Sequence, residues 1–190
     1  MFDRRFIAGV LGGVVAVGLT LSGQAMAAFT AADAAKVEAD AKATLASFKA
    51  STKGADEVLA KAKGVLVCPT ITKGGFVFGY EGGTCVLTSG SDKPIYYGSS
   101  ALKAGLLVGI EKYSMILALN TAEALAKFTG DAREWELGVD ASVAVAKVGA
   151  GGAIDTTNLQ KDIVAFIFGE KGLMGDVSFQ GSRFKKLDVE

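Results

Sequence analysis

Seven basic side chains are the candidates for chemistry in this sequence, and the chemistry they could do is anion capture. Lys61 and Lys63 close a helical stretch, Lys73 lies in a glycine-rich stretch and Lys171 in a second one, and Arg183, Lys185 and Lys186 stand near the end of the chain. Cations gathered on one face attract phosphate oxygens even when the total charge is neutral. Scattered over a surface, the same residues are merely solvated, and the sequence leaves both readings open.

Other chemistry is poorly provided for. Histidine is absent, which removes the commonest general base and the usual triads. No Gly-x-Ser-x-Gly elbow occurs, no glycine cluster runs into the Lys-Ser/Thr of a phosphate loop, and no Gly-x-Gly-x-x-Gly opens a helix after a strand. Asp131, Glu134 and Glu136 cluster, but a charged stretch after a helix is ordinarily a solvated face. Asp140 sits among apolar neighbours and would need a partner if buried; an outward position removes that need. The expectation is a non-enzymatic protein that uses no cofactor. Cys68 and Cys85 lie 17 positions apart on neighbouring expected strands. They pair as a disulfide if the strand register brings their α-carbons within about 7 Å, or else remain two small buried hydrophobes. A zinc site would have to be completed by carboxylates alone.

The elements that must position these residues follow from periodicity. Residues 1–27 read as a signal peptide. Arg4 and Arg5 precede an apolar run from Phe6 to Leu21, and Ala25-Met26-Ala27 is a small-residue cleavage site. An uncleaved anchor is the other reading of the run, and the paired arginines leave general and twin-arginine export both open. Residues 28–190 then form one domain, and without Asp3, Arg4 and Arg5 its net charge is −1. A nucleic-acid binder would be strongly basic, so no nucleic-acid partner is expected.

Residues 28–63 read as helical. Thr30 to Asp33 has the form of a capping box. Ala34, Val37, Ala41, Leu45 and Phe48 repeat at three- and four-residue steps, giving one apolar stripe that docks on the domain's own sheet or lies on a membrane surface. A shorter helix follows, with Val58, Leu59 and Ala62 inward.

Residues 64–190 read as a glycine-rich β core. Strands are expected at Val65–Cys68, Gly75–Tyr80, Cys85–Thr88, Ile95–Tyr97, Leu106–Ile110 and Ser114–Leu119, with Gly82-Gly83 as a turn. A short helix capped at Asn120-Thr121 and ended by Gly130 is inserted next. Alternation returns over Leu137–Val148, and a last hairpin turns at Gly169–Gly172. The fold class is α+β, with N-terminal helices packed on a strongly curved, mostly antiparallel, barrel-like sheet carrying one inserted short helix. Glycines at 75, 79, 83, 105, 109, 138 and 175 would let such a sheet bend. A transmembrane barrel fits the pattern less well, because the strands are short, several are not two-faced, and helices precede them.

These motifs together resemble one family. Gly64-Val65-Leu66-Val67-Cys68-Pro69 followed by Lys73-Gly74-Gly75-Phe76-Val77-Phe78-Gly79 is similar to the opening of SYLF domains. Ala104–Gly109, Leu137–Ala144 and Lys171–Ser178 resemble three later signatures of that family, in the same order. Two positions depart from the pattern. Ser91-Asp92-Lys93-Pro94 stands where Trp-Ser-x-Pro is usual, and Phe166-Ile167 replaces a Tyr-Ser pair. The resemblance implies a lipid-binding domain. For an exported bacterial member it implies a periplasmic protein peripheral to the inner or outer membrane, with anionic phospholipid as partner and Lys73, Lys171, Arg183 and Lys185 as head-group contacts. The alternative is a structural or interaction scaffold, as a homo-oligomer or with an envelope protein partner.

Overall fold

A computed structural model describes residues 28–75, 78–90, 92–104, 109–136, 143–146, 160–169, 172–173 and 181–190. The leader at 1–27, Asp140 and Lys171 lie outside the described residues.

Helix α1, Ala31–Ser51, begins with the expected capping box: the Thr30 hydroxyl accepts from the Asp33 backbone and Asp33 answers to the Thr30 backbone. The Thr30 hydroxyl, and then its N–H, hold the Asp33 carboxyl below its ordinary range. The helix buries Ala34, Val37, Ala41 and Phe48, four of the five stripe residues. Phe48 is the anchor, with its ring centroid 4.9 Å from Phe166 and 5.6 Å from Phe168. Helix α2, Ala55–Lys61, follows and buries Ala55 and Val58.

The sheet begins with four long strands: β1 (Gly64–Gly75), β2 (Phe78–Thr88), β3 (Ile95–Ala104) and β4 (Gly109–Leu119). Helix α3, Ala122–Thr129, precedes β5 (Glu134–Glu136), β6 (Ala144–Val145), β7 (Ile163–Gly169), β8 (Gly172–Leu173) and β9 (Arg183–Leu187). The spatial order is β5-β9-β3-β2-β1-β4-β7-β6, with β8 beside β7. All pairings are antiparallel except β6 with β7. The sheet curls into a half-barrel. Trp135 from one end and Val143 and Val145 from the other pack into the same inner core as Leu66, Leu117 and Ile167 of the central strands. The outer face carries a second core, where α1 and α2 cover Val67, Val86, Ile116, Val164 and Phe166. Period-two alternation sends successive side chains to these two cores. Both are apolar, so Met115–Leu119 of β4 and Ile163–Phe168 of β7 read as continuous hydrophobic runs.

The fold class is therefore as expected, but the strand boundaries differ. Gly82-Gly83 is not a turn; it lies inside β2, and Lys73 lies inside β1 rather than in a loop. The reason is a bulge. The register of β1 shifts around Cys68-Pro69-Thr70 against both β2 and β4, which lets a central strand accommodate a proline. The Ser114 hydroxyl donates to the Pro69 carbonyl at 2.6 Å. A Cβ at position 83 would stand 2.3 Å from the Thr70 carbonyl oxygen, so only glycine lets β2 pass the bulge. Glycine here marks close backbone approach within a strand.

Cys68 and Cys85 are bonded to each other beside this bulge, both fully buried. Closing a segment of 17 residues constrains the unfolded chain by about 3 kcal/mol. Replacing both cysteines with alanine is expected to lower the unfolding free energy by about that amount, read from urea midpoints. Equal midpoints for the wild type, oxidised and reduced, would show that the bond contributes nothing.

At the far end of the inner core, the Phe128, Trp135, Phe184 and Tyr97 rings pack together. The Tyr97 hydroxyl donates to the Phe128 carbonyl at 2.6 Å, and burial pushes its phenol up to about 12. The Tyr96 hydroxyl donates to Glu38 on α1, and that bond pushes Tyr96 up to about 12 as well. Both folded values lie above the ordinary 10.0. Their contribution to stability is thus complete below pH 10 and is lost as the pH climbs through about 12. A titration of tyrosinate absorbance should show both phenols ionising late in the folded protein and early in urea. Coincident curves would contradict this.

Candidate functional site

The exposed ends of the four long strands form the feature of the surface that most calls for a partner. The β1–β2 hairpin lies between β3 and β4: β1 pairs with both β2 and β4, Gly75 lying opposite Gly79 and Gly109, and β2 pairs with β3. One row behind these tips, register aligns Leu102, Tyr80, Gly74 and Ile110 across β3, β2, β1 and β4. Alternation puts this row on the outer face, beyond the reach of α1. Leu102 is 84% exposed, Ile110 and Phe78 are 78% exposed, and Tyr80 is 58% exposed. The Tyr80 ring folds back over Gly82; a Cβ at position 82 would meet it at 2.8 Å. Large apolar side chains presented together on strand ends, rather than singly, mark a contact surface.

The next outer row reads Arg183, Ser100, Gly82, Thr72 and Lys112. Lys112 is exposed and has no ion-pair partner among the described residues. Arg183 is held by Glu134 at 3.6 Å and Glu136 at 3.2 Å. Two cations thus flank the apolar row at its edges.

Among the described residues, the basic side chains singled out from sequence do not converge. Lys61 ends α2 and Lys63 precedes β1, whose other end carries Lys73. About ten residues of extended strand separate them, roughly 30 Å. Lys73 points to the inner face, where its Nζ lies 3.4 Å from Glu111. Lys185 is exposed and pairs in register with Glu134. Lys186 turns inward and caps α3, donating to the Thr129 carbonyl at 2.9 Å and to that of Gly130; a cation there complements the helix dipole. Among these, Arg183 stands near the strand ends and Lys73 lies behind them on the other face.

Sequence reasoning passed over Phe78, Tyr80 and Ile110 as ordinary strand residues and left Leu102 outside the expected strands. The available signal was parity. Phe78 and Tyr80 alternate with Gly79 and Glu81, so one face of that strand end is aromatic and the other is not.

Among the described residues, no group of three or more His, Cys, Asp or Glu side chains is placed to hold a metal ion. No described helix is long and apolar enough to cross a membrane. A search among curated proteins finds no significant match. Residues 100–188 match the family Ysc84, described as Las17-binding protein actin regulator. The match includes β4, α3, most of β3 and every later strand; the opening glycine motif lies upstream of it. Over residues 100–188 the chain is thus similar to the Ysc84 or SYLF family, the family that the sequence motifs resemble.

Proposed function

We propose that this is a non-catalytic domain that docks on anionic phospholipid membranes through the exposed ends of its four long strands. The observation that carries the reading is the exposed row of Leu102, Tyr80 and Ile110 with Phe78 beside it, flanked by Lys112 and Arg183. Apolar side chains enter the acyl boundary, and the flanking cations meet head-group phosphates at the level of the interface. Insertion supplies most of the affinity. Each cation near an anionic surface adds about 1 kcal/mol, and Arg183 adds less because two carboxylates already hold it. This differs from capture by a broad basic face, for which the cations are too widely spread.

The leader-like residues 1–27 support an exported, periplasmic setting, peripheral to the inner or outer membrane. Flotation with vesicles of graded anionic content at two salt concentrations tests the proposal. Binding should persist at high salt, weakened several-fold, and rise with anionic lipid. Failure to bind any vesicle would refute it.

The family's description as a Las17-binding actin regulator favours a second reading, a scaffold whose partner is a protein. In that case the same tips engage a protein surface or a second copy, and sizing chromatography would show assembly without any response to lipid.

A further inference from the structure

Helix α1 covers Val67 and Val86 on the outer face of the sheet, and a cleft opens beside it over the next residues toward the strand ends, Thr70 and Thr84. Asp33, Lys36, Asp40, Thr44 and Ser47 follow one another at three- and four-residue steps, so one flank of α1 forms its wall. The cleft has two halves that share Pro69 and Thr70. The half toward β3 and β9 is lined by Asp33, Lys36 and Asp40. Lys36 is spent on Asp40 at 2.6 Å, so that half keeps a negative charge. The other half, of about 340 Å³, lies between α1, β4 and β7. Thr44 and Ser47 line it from the helix, Thr70, Lys112 and Ser114 from the sheet, and Phe168 closes its base. Among the described residues that line it, none carries a carboxylate.

The chemistry of this second half specifies what it would hold. Lys112 is exposed and has no ion-pair partner among the described residues, so it calls for an anion. The Thr44, Ser47 and Thr70 hydroxyls can each donate or accept. Ser114 has already given its proton to the Pro69 carbonyl, so its oxygen only accepts. The ligand must therefore bring negative charge together with O–H or N–H donors. The ammonium of a serine or ethanolamine head group would meet repulsion from Lys112, and choline has no donor at all. The position fits a head group as well. Lys112 stands two residues behind Ile110 on β4, about 7 Å along the same strand face. With Ile110 at the acyl boundary, the cleft lies at the level of the phosphates.

We propose that this half of the cleft binds a phosphoglycerol group, its phosphate on Lys112 and its free hydroxyls on Thr44, Ser47 and Ser114. The group can come from a membrane lipid or from soluble glycerol phosphate. The inference deepens the membrane reading and rests on it for the lipid source.

Two arms test it. In the first, the protein is bound to phosphatidylcholine vesicles carrying equal fractions of either phosphatidylglycerol or phosphatidylserine, which have the same net charge. In the second, glycerol phosphate and inorganic phosphate are titrated by calorimetry. Binding to the glycerol vesicles should be about tenfold tighter, the factor that one or two net hydrogen bonds supply. The double variant Thr44→Val with Ser47→Ala should erase that preference without weakening binding to the serine vesicles. Ala43→Trp, which fills the cleft from an exposed helix position, should erase it too. A vesicle preference lost in these variants supports the cleft with a lipid as its source. Glycerol phosphate binding more tightly than inorganic phosphate, without binding to any vesicle, would retain the cleft and refute docking at the strand ends. Equal affinity for both vesicle types would overturn the inference and leave docking standing. A preference that survives both variants would also overturn it, and an absence of all binding would overturn both proposals.

Discussion

Replacing Leu102 and Ile110 together by serine is expected to weaken vesicle binding by roughly 100-fold while leaving the unfolding midpoint nearly unchanged. Fully burying one such side chain is worth about 1.5–3 kcal/mol, and about 1.4 kcal/mol is a factor of ten. Partial insertion of two side chains therefore amounts to about two decades of affinity. Both residues are more than three-quarters exposed and contribute little to the fold, and surface changes of this kind usually stay within about 0.5 kcal/mol. Lys112→Ala should act differently, weakening binding only several-fold and only at low salt. Flotation and urea unfolding on the same samples separate the two effects. A large loss of stability in the serine variant would mean that the tip residues are structural. Unchanged vesicle binding would remove them from the interface.

Phe48→Ala carries the largest expected effect on stability. Phe48 is fully buried and joins α1 to the outer face of the sheet through Phe166 and Phe168. Truncation removes a large transfer contribution and leaves a cavity between helix and sheet, a loss of about 3–5 kcal/mol. Domains of this size have about 5–15 kcal/mol in total, so the variant should be marginal or partly unfolded at 37 °C. Most of the remaining α1 contacts are alanine, and the helix cannot compensate. Lys49→Ala, one residue away and exposed, should change stability by less than about 0.5 kcal/mol. A Phe48→Ala protein as stable as the wild type would show that α1 is not anchored as described.

Much of the fold was legible because the relevant forces are local or periodic. The capping box at Thr30, the stripe ending at Phe48 and the stop at Gly130 depend on residues three or four positions apart, and each is found in place. The strand boundaries were less legible, because glycine has two uses. At Gly82 and Gly83 the local pattern reads as a turn. The structure uses those glycines to lie beneath the Tyr80 ring and to pass a bulge in the neighbouring strand. That second use depends on a contact between positions 70 and 83, which periodicity cannot show. The candidate site was harder still. Its row draws on four strands, so its members become neighbours only once register is fixed. The basic residues were visible, but the roles of Lys186 as a helix cap and Arg183 as a partner of Glu134 and Glu136 are set by β9, β5 and α3 meeting in space.

The most direct test of docking through these strand ends is a depth measurement on the bound protein. Spin labels attached at Leu102→Cys, Ile110→Cys and Lys61→Cys would be compared for collision with apolar oxygen and with a water-soluble relaxant, in the presence of anionic vesicles. Docking as proposed predicts that labels at 102 and 110 pass below the head groups while the label at 61, at the opposite end of β1, stays in water. Insertion at 61 with the tips left in water, or no insertion at any of the three in protein that floats with the vesicles, would contradict it.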